Sequence, residues 1–138
     1  MMFDLQDLFV TVHTKIGDTA ALADIHGEKT YLGQSFKRFE RPHCRVTLIP
    51  VLKPDRTFDG TNLDRVTLSF SVFSSSLAEA NALAKRIAET FVGVGTITLD
   101  EDVCLSVRRV GASVGHEGND AKTFVYRASV DLEFFLQS

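Results

Sequence analysis

Cysteine is scarce in this sequence, and long apolar runs are missing. The 138 residues include two cysteines, Cys44 and Cys104, too few for a disulfide framework, and in a reducing compartment they are most simply small apolar side chains. No apolar stretch approaches the roughly 18–20 residues that cross a bilayer. Because Met1–Leu5 shows no basic region followed by an apolar one, we expect no signal peptide, no membrane partner and synthesis in the cytoplasm.

Basic charge is also in short supply. Lysine and arginine number 15 against 18 acidic residues, for a formal net charge of −3, and the isoelectric point is near 5.8. Proteins that grip phosphate backbones generally show a basic face and a high isoelectric point. We therefore expect no sequence-specific binding to nucleic acid.

Signatures of catalysis are lacking too. The glycines do not have phosphate-loop spacing, and no Gly-x-Ser-x-Gly elbow occurs. The four histidines show no metal-ligand spacing, and His43 and Cys44, as neighbours in a strand, point to opposite faces. The three carboxylates of Asp100–Asp102 could attract a cation, but an acidic turn between two strands is the simpler explanation of this run. We expect no enzyme, no cofactor and no metal, and a protein that acts by binding protein.

A strand followed directly by a helix organises what is present. Apolar residues alternate with polar ones from Arg65 to Val72, the period of a half-buried strand. Ser76 and Glu79 have the spacing of a capping box, which predicts a helix from Leu77 to Phe91 with one apolar stripe. Gly93 and Gly95 can close this helix, and its stripe should cover the apolar face of the strand.

The segments before this unit predict a helix and a short strand. A stripe from Leu5 to Ile16 indicates a first helix that Asp4 can cap, and Asp18 can cap a short turn from Thr19 to Ile25. A brief strand is predicted at Lys29–Leu32.

Two hairpins complete the pattern. A strand from Cys44 towards Val51 and the central strand flank a predicted loop, Lys53–Leu63. A strand that begins at Val103 and a long alternating strand, Phe124–Leu136, flank a glycine-rich stretch, Gly111–Asp120, predicted to be a mobile connection. The prediction is a single α+β domain over residues 1–138: two layers, with an antiparallel four-stranded sheet and helices packed on one face.

Candidate contact residues come from two loops. Phe58 is an isolated aromatic in the first hairpin loop, near Arg56, and the stretch from Gly33 to His43 interleaves Phe36 and Phe39 with basic residues that include Arg38. Interfaces concentrate their energy in aromatic and arginine side chains. For Phe36 and Phe39, closing the core remains an equal alternative, and a protein contact is preferred to a nucleic-acid patch for the basic loop.

The order of elements resembles the tail terminator, or tail completion, proteins of long-tailed bacteriophages. The resemblance covers nearly the whole chain and is carried by the opening helix, the Ala/Leu-rich turn that ends at Gly27, the block Arg65–Ser74 with its Ala-rich helix, and the closing strand Tyr126–Phe134. The long Lys53–Leu63 loop and the Pro42-His43-Cys44 sequence depart from the usual pattern.

This resemblance implies a structural virion protein. Such a protein would form a ring, which we expect to be a hexamer, on the end of the tail tube, stop tail polymerisation and present the surface that joins the head. Its partners would be other copies of itself, the tail tube protein and a head-tail connector protein, and its place would be the tail or neck of the virion. Two alternatives stay open: another head-tail connector, such as an adaptor or head-completion protein, and a small ligand-binding or enzymatic subunit on the same fold.

Overall fold

The computed structural model describes residues 5–33, 41–49, 55–56, 62–93, 95–99, 103–120 and 123–137. The helices are α1 (Leu5–Gly17) and α2 (Leu77–Phe91), with two short 3₁₀ helices between α1 and the first strand, Ala20–Ile25 and Gly27–Lys29. The strands are β1 (Thr30–Leu32), β2 (His43–Ile49), β3 (Asp55–Arg56), β4 (Asn62–Ser74), β5 (Ile97–Thr98), β6 (Val103–Asp120) and β7 (Thr123–Gln137).

The strand and helix predicted at the centre of the chain form the centre of the core. The alternating apolar residues of β4, from Val66 to Val72, are buried, and α2 lays its apolar stripe over β4 and β7. The Phe91 ring stacks on Phe70 with centroids 5.7 Å apart and meets the edge of Phe134 at 6.0 Å. These three rings join the helix to both central strands.

The turn between β4 and α2 differs from the predicted capping box in one contact. Ser76 is the N-cap, and its Oγ accepts a hydrogen bond from the Glu79 backbone N–H at 3.3 Å, as the spacing predicts. The Glu79 carboxylate, however, accepts from the Ser74 hydroxyl at 2.6 Å, and that same Ser74 oxygen accepts from the Ser76 N–H at 3.0 Å. Ser74 is buried at the end of β4, so it replaces Glu79 as the partner of the cap residue.

The sheet is larger than the four strands predicted. The sheet has seven strands in the described chain: six run in the order β1-β2-β4-β7-β6-β5, and the seventh, β3, pairs with β4 beside this path. The predicted antiparallel strands, β2, β4, β7 and β6, form the middle. Three short strands are not counted in the prediction. β1 is parallel to β2, β3 pairs with β4 over two residues, and β5 pairs with β6 over two residues. The α+β class holds; the four-strand count is wrong.

The glycine-rich stretch predicted as a mobile connection is a strand. β6 continues through Gly111–Asp120 and pairs with β7 as far as Asp120↔Thr123. The pairing register shifts at three places, Cys104/Ser106, Arg109/Gly111 and His116/Gly118, where the sequence does not alternate regularly. A bulge lets a strand keep its partner where side-chain alternation fails, and the strong pattern of β7 supplies that partner.

The first hairpin also contains more strand than predicted. β4 begins at Asn62 and pairs through Asn62 and Leu63 with β3, Asp55–Arg56. Both pairs lie inside the segment Lys53–Leu63, which the sequence predicts as loop throughout. A strand is recognised in a sequence by apolar residues at every second position, and the mostly polar residues of this extension do not show that alternation.

The amino-terminal segment follows the prediction with a shifted cap. Leu8, Val12 and Ile16 of α1 are buried, and Leu22 and Ile25 of the 3₁₀ helix join the same core. The cap of that 3₁₀ helix is Thr19, not the predicted Asp18. At the carboxyl end of this 3₁₀ helix, the buried Thr30 hydroxyl donates a hydrogen bond to the carbonyl oxygen of Ile25 at 2.6 Å. No helix in the described part of the chain is long and apolar enough to span a membrane.

Candidate protein-interaction surfaces

Most of the contact residues predicted from the sequence fall outside the described parts of the chain. Phe36, Arg38 and Phe39 belong to residues 34–40 and Phe58 to residues 57–61, which the structure does not describe. Arg56 lies in β3, where it pairs with Asn62. A role for these five residues in an interface stays a prediction.

The outer edge of β6 is a surface that the sequence did not predict. Within the described residues, β5 pairs with β6 only at Val103 and Cys104, and β7 is the strand that pairs with β6 from Ser106 onward. Its side chains include Val110 and Val114, which are 47% and 52% exposed, and the exposed Arg108 and Arg109. A free strand edge offers unpaired backbone N–H and C=O groups to another chain.

A groove borders this edge on the helix side of the sheet. Its volume is about 310 Å³, and it lies between α2 and the β6–β7 hairpin. Its walls are small and apolar, with Ala84 and Ala88 from the helix facing Ala112 and Val114 from the strand. The charged side chains of Lys85, Glu89 and Arg109 also line it.

The β6–β7 hairpin extends beyond its neighbours. β4 pairs with β7 only as far as Tyr126, so the residues from there to the turn are paired with β6 alone. The rings of His116, Phe124 and Tyr126 cluster at the start of this extension, with centroids of His116 and Phe124 5.4 Å apart and of His116 and Tyr126 5.6 Å apart. Phe124 is 57% exposed, which makes it the most exposed large apolar residue of the described chain.

The sheet face opposite the helices is a shallow trough of hydroxyl groups. Strand register places Arg45, Ser71, Ser129 and Ser113 in one row across β2, β4, β7 and β6, and Thr47, Ser69 and Asp131 in the next. The volume of this trough is about 330 Å³. Ser71 and Ser129 are buried and bond to each other with their oxygens 2.9 Å apart. Among the described residues, the lining of this trough is polar apart from Ile49.

Arginines on this face lie over aromatic rings. The Arg45 guanidinium lies 5.3 Å from the centre of the Phe73 ring. The His43 ring stacks on the same Phe73 ring, with the two centroids 5.0 Å apart. Burial raises the pKa of the neighbouring Tyr31 hydroxyl, against the opposing effect of Arg45. Arg108 lies 5.5 Å from the Phe135 ring and 2.9 Å from the Glu133 carboxylate. Such stacking holds the charged groups in fixed positions at the surface.

A third groove separates α1 from the edge strand β5. It is the largest of those described here, at about 900 Å³, and polar residues of α1 line most of it, with Ile97, Thr98 and Leu99 on the other side. Val10, which is 50% exposed, is the main apolar group that α1 presents there. The lining described for this groove contains threonine, lysine and aspartate side chains and no histidine or cysteine.

The thiols and histidines do not form a reactive pair. Cys44 points into the core, and burial raises the pKa of its thiol to about 12, whereas His43 lies on the open face beside Phe73. Cys104 is also buried, with a raised thiol pKa. His13 and His26 donate to the main-chain carbonyls of Gly27 and Thr19 at 2.8 and 2.9 Å. Within the described ranges, no cluster of three or more histidine, cysteine or carboxylate side chains could hold a metal ion.

Comparison with known proteins finds a likeness in structure. No protein-family model matches the sequence, and no curated protein matches it either. Among solved structures, the chain is similar to a chain of a particle described as the virion of native gene transfer agent (GTA) particle, with a TM-score of 0.72. The two chains are 17% identical, and the alignment covers 96% of each. At this identity the comparison establishes a shared fold over nearly the whole chain.

Proposed function

We propose that this chain is a structural protein of a phage-like virion and acts as a tail terminator. It assembles as a ring, of six copies in our proposal, on the end of the completed tail tube, ends tail polymerisation and presents the surface to which the head joins. The tail tube protein and a head-tail connector protein are its partners, and the neck of the particle is its location. It works by binding, without catalysis or a cofactor.

The observation that carries the proposal is the likeness in fold to a chain of a virion particle over nearly the whole length of both chains. The match covers 96% of both chains, so helices and sheet correspond as one unit and not as a fragment. The order of elements in the sequence independently resembles tail terminators. Fold alone does not define function, and the tail position therefore depends on the two lines together.

The surfaces of the subunit suit a part that binds on several sides. A ring requires two different contact patches on each subunit, and further patches must face the tube and the head. The free edge of β6, the aromatic end of the β6–β7 hairpin and the groove beside α1 are distinct surfaces on different elements. The buried thiols, with their raised pKa, favour binding over nucleophilic chemistry.

Tail length in a deletion strain tests the proposal. Removing the gene from the element that encodes it should give tails that vary in length, run longer than normal and carry no heads, because nothing ends polymerisation. Supplying the wild-type chain from a plasmid should restore uniform length, and an empty plasmid is the matched control.

Two other outcomes decide against this role. Tails of normal length that fail to join heads would overturn the terminator and favour the alternative connector function. Complete particles of normal infectivity or transfer activity, formed without the chain, would overturn any structural role in the virion.

A further inference from the structure

The hydroxyl-lined trough on the open face of the sheet has a basic side and an acidic side. Arg45 lines it from β2 and Asp131 lines it from β7, and β4 lies between these two strands. The Asp131 carboxylate leans towards β6, because its Oδ2 would lie 3.1 Å from a Cβ built on Gly111. At about 4.8 Å between neighbouring strands, β2 and β7 are roughly 10 Å apart. The base and the acid of the trough are therefore held on different sides of it.

The Arg45 side chain is fixed in place while one of its donors is unused. The guanidinium lies 5.3 Å from the centre of the Phe73 ring, which restricts its orientation. Its buried Nε–H has no hydrogen-bond partner in the described chain. A guanidinium carries five N–H donors in a planar fork that matches the two oxygens of a carboxylate. The position therefore suits an oxyanion that reaches the trough from outside.

Hydroxyl groups and a second arginine complete this side of the trough. Strand register places Ser71 of β4 beside Arg45 and Ser129 of β7 beside Ser71. The two serine oxygens are 2.9 Å apart, and either can be the donor. The serine that accepts this bond keeps its own O–H to donate elsewhere. Arg127, two residues before Ser129 on the same strand, lines the trough as well.

We propose that this side of the trough, formed by Arg45, Ser71, Ser129 and Arg127, binds a carboxylate group. The Arg45 fork donates to the two carboxylate oxygens, the remaining serine O–H donates to one of them, and Arg127 adds positive charge. The carboxylate is that of an aspartate or glutamate side chain on another protein, because the trough lies open on a sheet face that a protein surface can meet. Asp131 repels a doubly charged phosphate more strongly than a singly charged carboxylate. This site goes beyond the proposed function, since it is a property of the isolated chain and does not require a ring.

Titration of the isolated chain with a blocked amino acid tests the site. Acetyl-aspartate N-methylamide carries one side-chain carboxylate, and acetyl-asparagine N-methylamide is its neutral match. By NMR of the isotope-labelled chain at constant ionic strength, the aspartate compound should cause saturable shifts of the trough amides, and the asparagine compound should cause none. Inorganic phosphate is the third probe and should bind more weakly than the aspartate compound. Absence of saturable shifts with the aspartate compound, or tighter binding of phosphate, would overturn the proposal.

Three variants that each change one charge separate this site from general attraction of anions. Arg45→Gln should weaken binding of the aspartate compound by about tenfold. Arg109→Gln removes an exposed arginine that lines the groove on the helix side, and it should leave the affinity within about twofold of wild type. Asp131→Asn should strengthen binding by about two- to threefold, because it removes a repelling carboxylate.

Thermal unfolding identifies the variants that fold as the wild type does. Equal losses of affinity in Arg45→Gln and Arg109→Gln would overturn the proposal, because binding would then follow net charge and not this site. Should Arg45→Gln fail to fold, Asp131→Asn decides the matter, and a folded Asp131→Asn chain with no gain in affinity would overturn the proposal.

Discussion

At the scale of single residues, the buried thiols define a simple chemical test. Cys44 and Cys104 are both fully buried, and burial raises the pKa of the Cys44 thiol from about 9 to about 12. The thiolate is the reactive form, so an aromatic disulfide reagent at pH 8 should modify neither cysteine in the folded chain and both in denaturant. Rapid modification of the native chain would show that these side chains are not in the core.

The same shift predicts a pH dependence for stability. A thiol whose pKa is raised by folding stabilises the native state fully below the unfolded pKa, near 9, and this contribution is lost as pH rises towards 12. The stability difference between wild type and Cys44→Ala should therefore shrink across that window. Denaturant melts at pH 8 and pH 10.5 measure it, and a difference that grows with pH would contradict the burial of a neutral thiol.

The loop aromatics predicted from the sequence can be assigned by comparing folding with function. Phe58→Ala and Phe39→Ala should leave the thermal unfolding temperature close to that of wild type and prevent complementation of tail length, because interface aromatics supply binding energy and little core packing. His43→Ala is the control for the catalytic alternative and should still complement. A strongly destabilised Phe39→Ala chain would assign that ring to the core instead.

At the scale of elements, Ser74 explains how β4 passes into α2. Its buried hydroxyl bonds both the Ser76 N–H and the Glu79 carboxylate. Ser74→Ala should cost about 1–3 kcal/mol, because it leaves a backbone N–H and a carboxylate without their partner, whereas Ser76→Ala should cost about 1 kcal/mol. Urea melts rank the two variants, with Ser113→Ala, an exposed serine of β6, as control. A Ser76→Ala chain that is clearly less stable than Ser74→Ala would contradict this arrangement.

Two glycines of β6 should respond differently to the same substitution. Gly115 has no atom within 4 Å of an added Cβ, whereas at Gly111 that Cβ would lie 3.1 Å from the Asp131 carboxylate oxygen. Alanine in a strand usually gains about 0.5–1 kcal/mol over glycine, so Gly115→Ala should stabilise the chain and Gly111→Ala should gain less or lose. Equal gains in denaturant melts would show that Asp131 moves aside freely.

The elements also show what the sequence could and could not predict. β4, α2 and β7 carry continuous apolar periodicity, which predicts that these three elements exist and gives the bounds of α2, whereas β4 begins at Asn62, ahead of its apolar pattern. The glycine-rich half of β6 does not, because its strand structure depends on pairing with β7 and on bulges that interrupt alternation. For the same reason the free edge of β6 could not be predicted: an edge is a property of the order of strands in the sheet, which one strand's sequence does not encode.

At the scale of the whole molecule, the described chain has two layers and different surfaces on its sides. The helix layer closes one face of the sheet, the hydroxyl-lined trough occupies the other, and the two lateral ends of the sheet are formed by different strands. The ring that we propose needs two different contact patches on each copy, and such a chain has different surfaces to supply them. It accords with the likeness to a chain of a virion particle over nearly its full length.

The location of the chain in the particle tests the central claim most directly. Particles assembled with an epitope-tagged copy, labelled with gold-conjugated antibody and imaged by electron microscopy, should carry label at one position, the junction of tail and head. Free tails should carry it at a single end, the end that would join the head. Label along the length of the tail, at its distal tip or over the head would contradict the account.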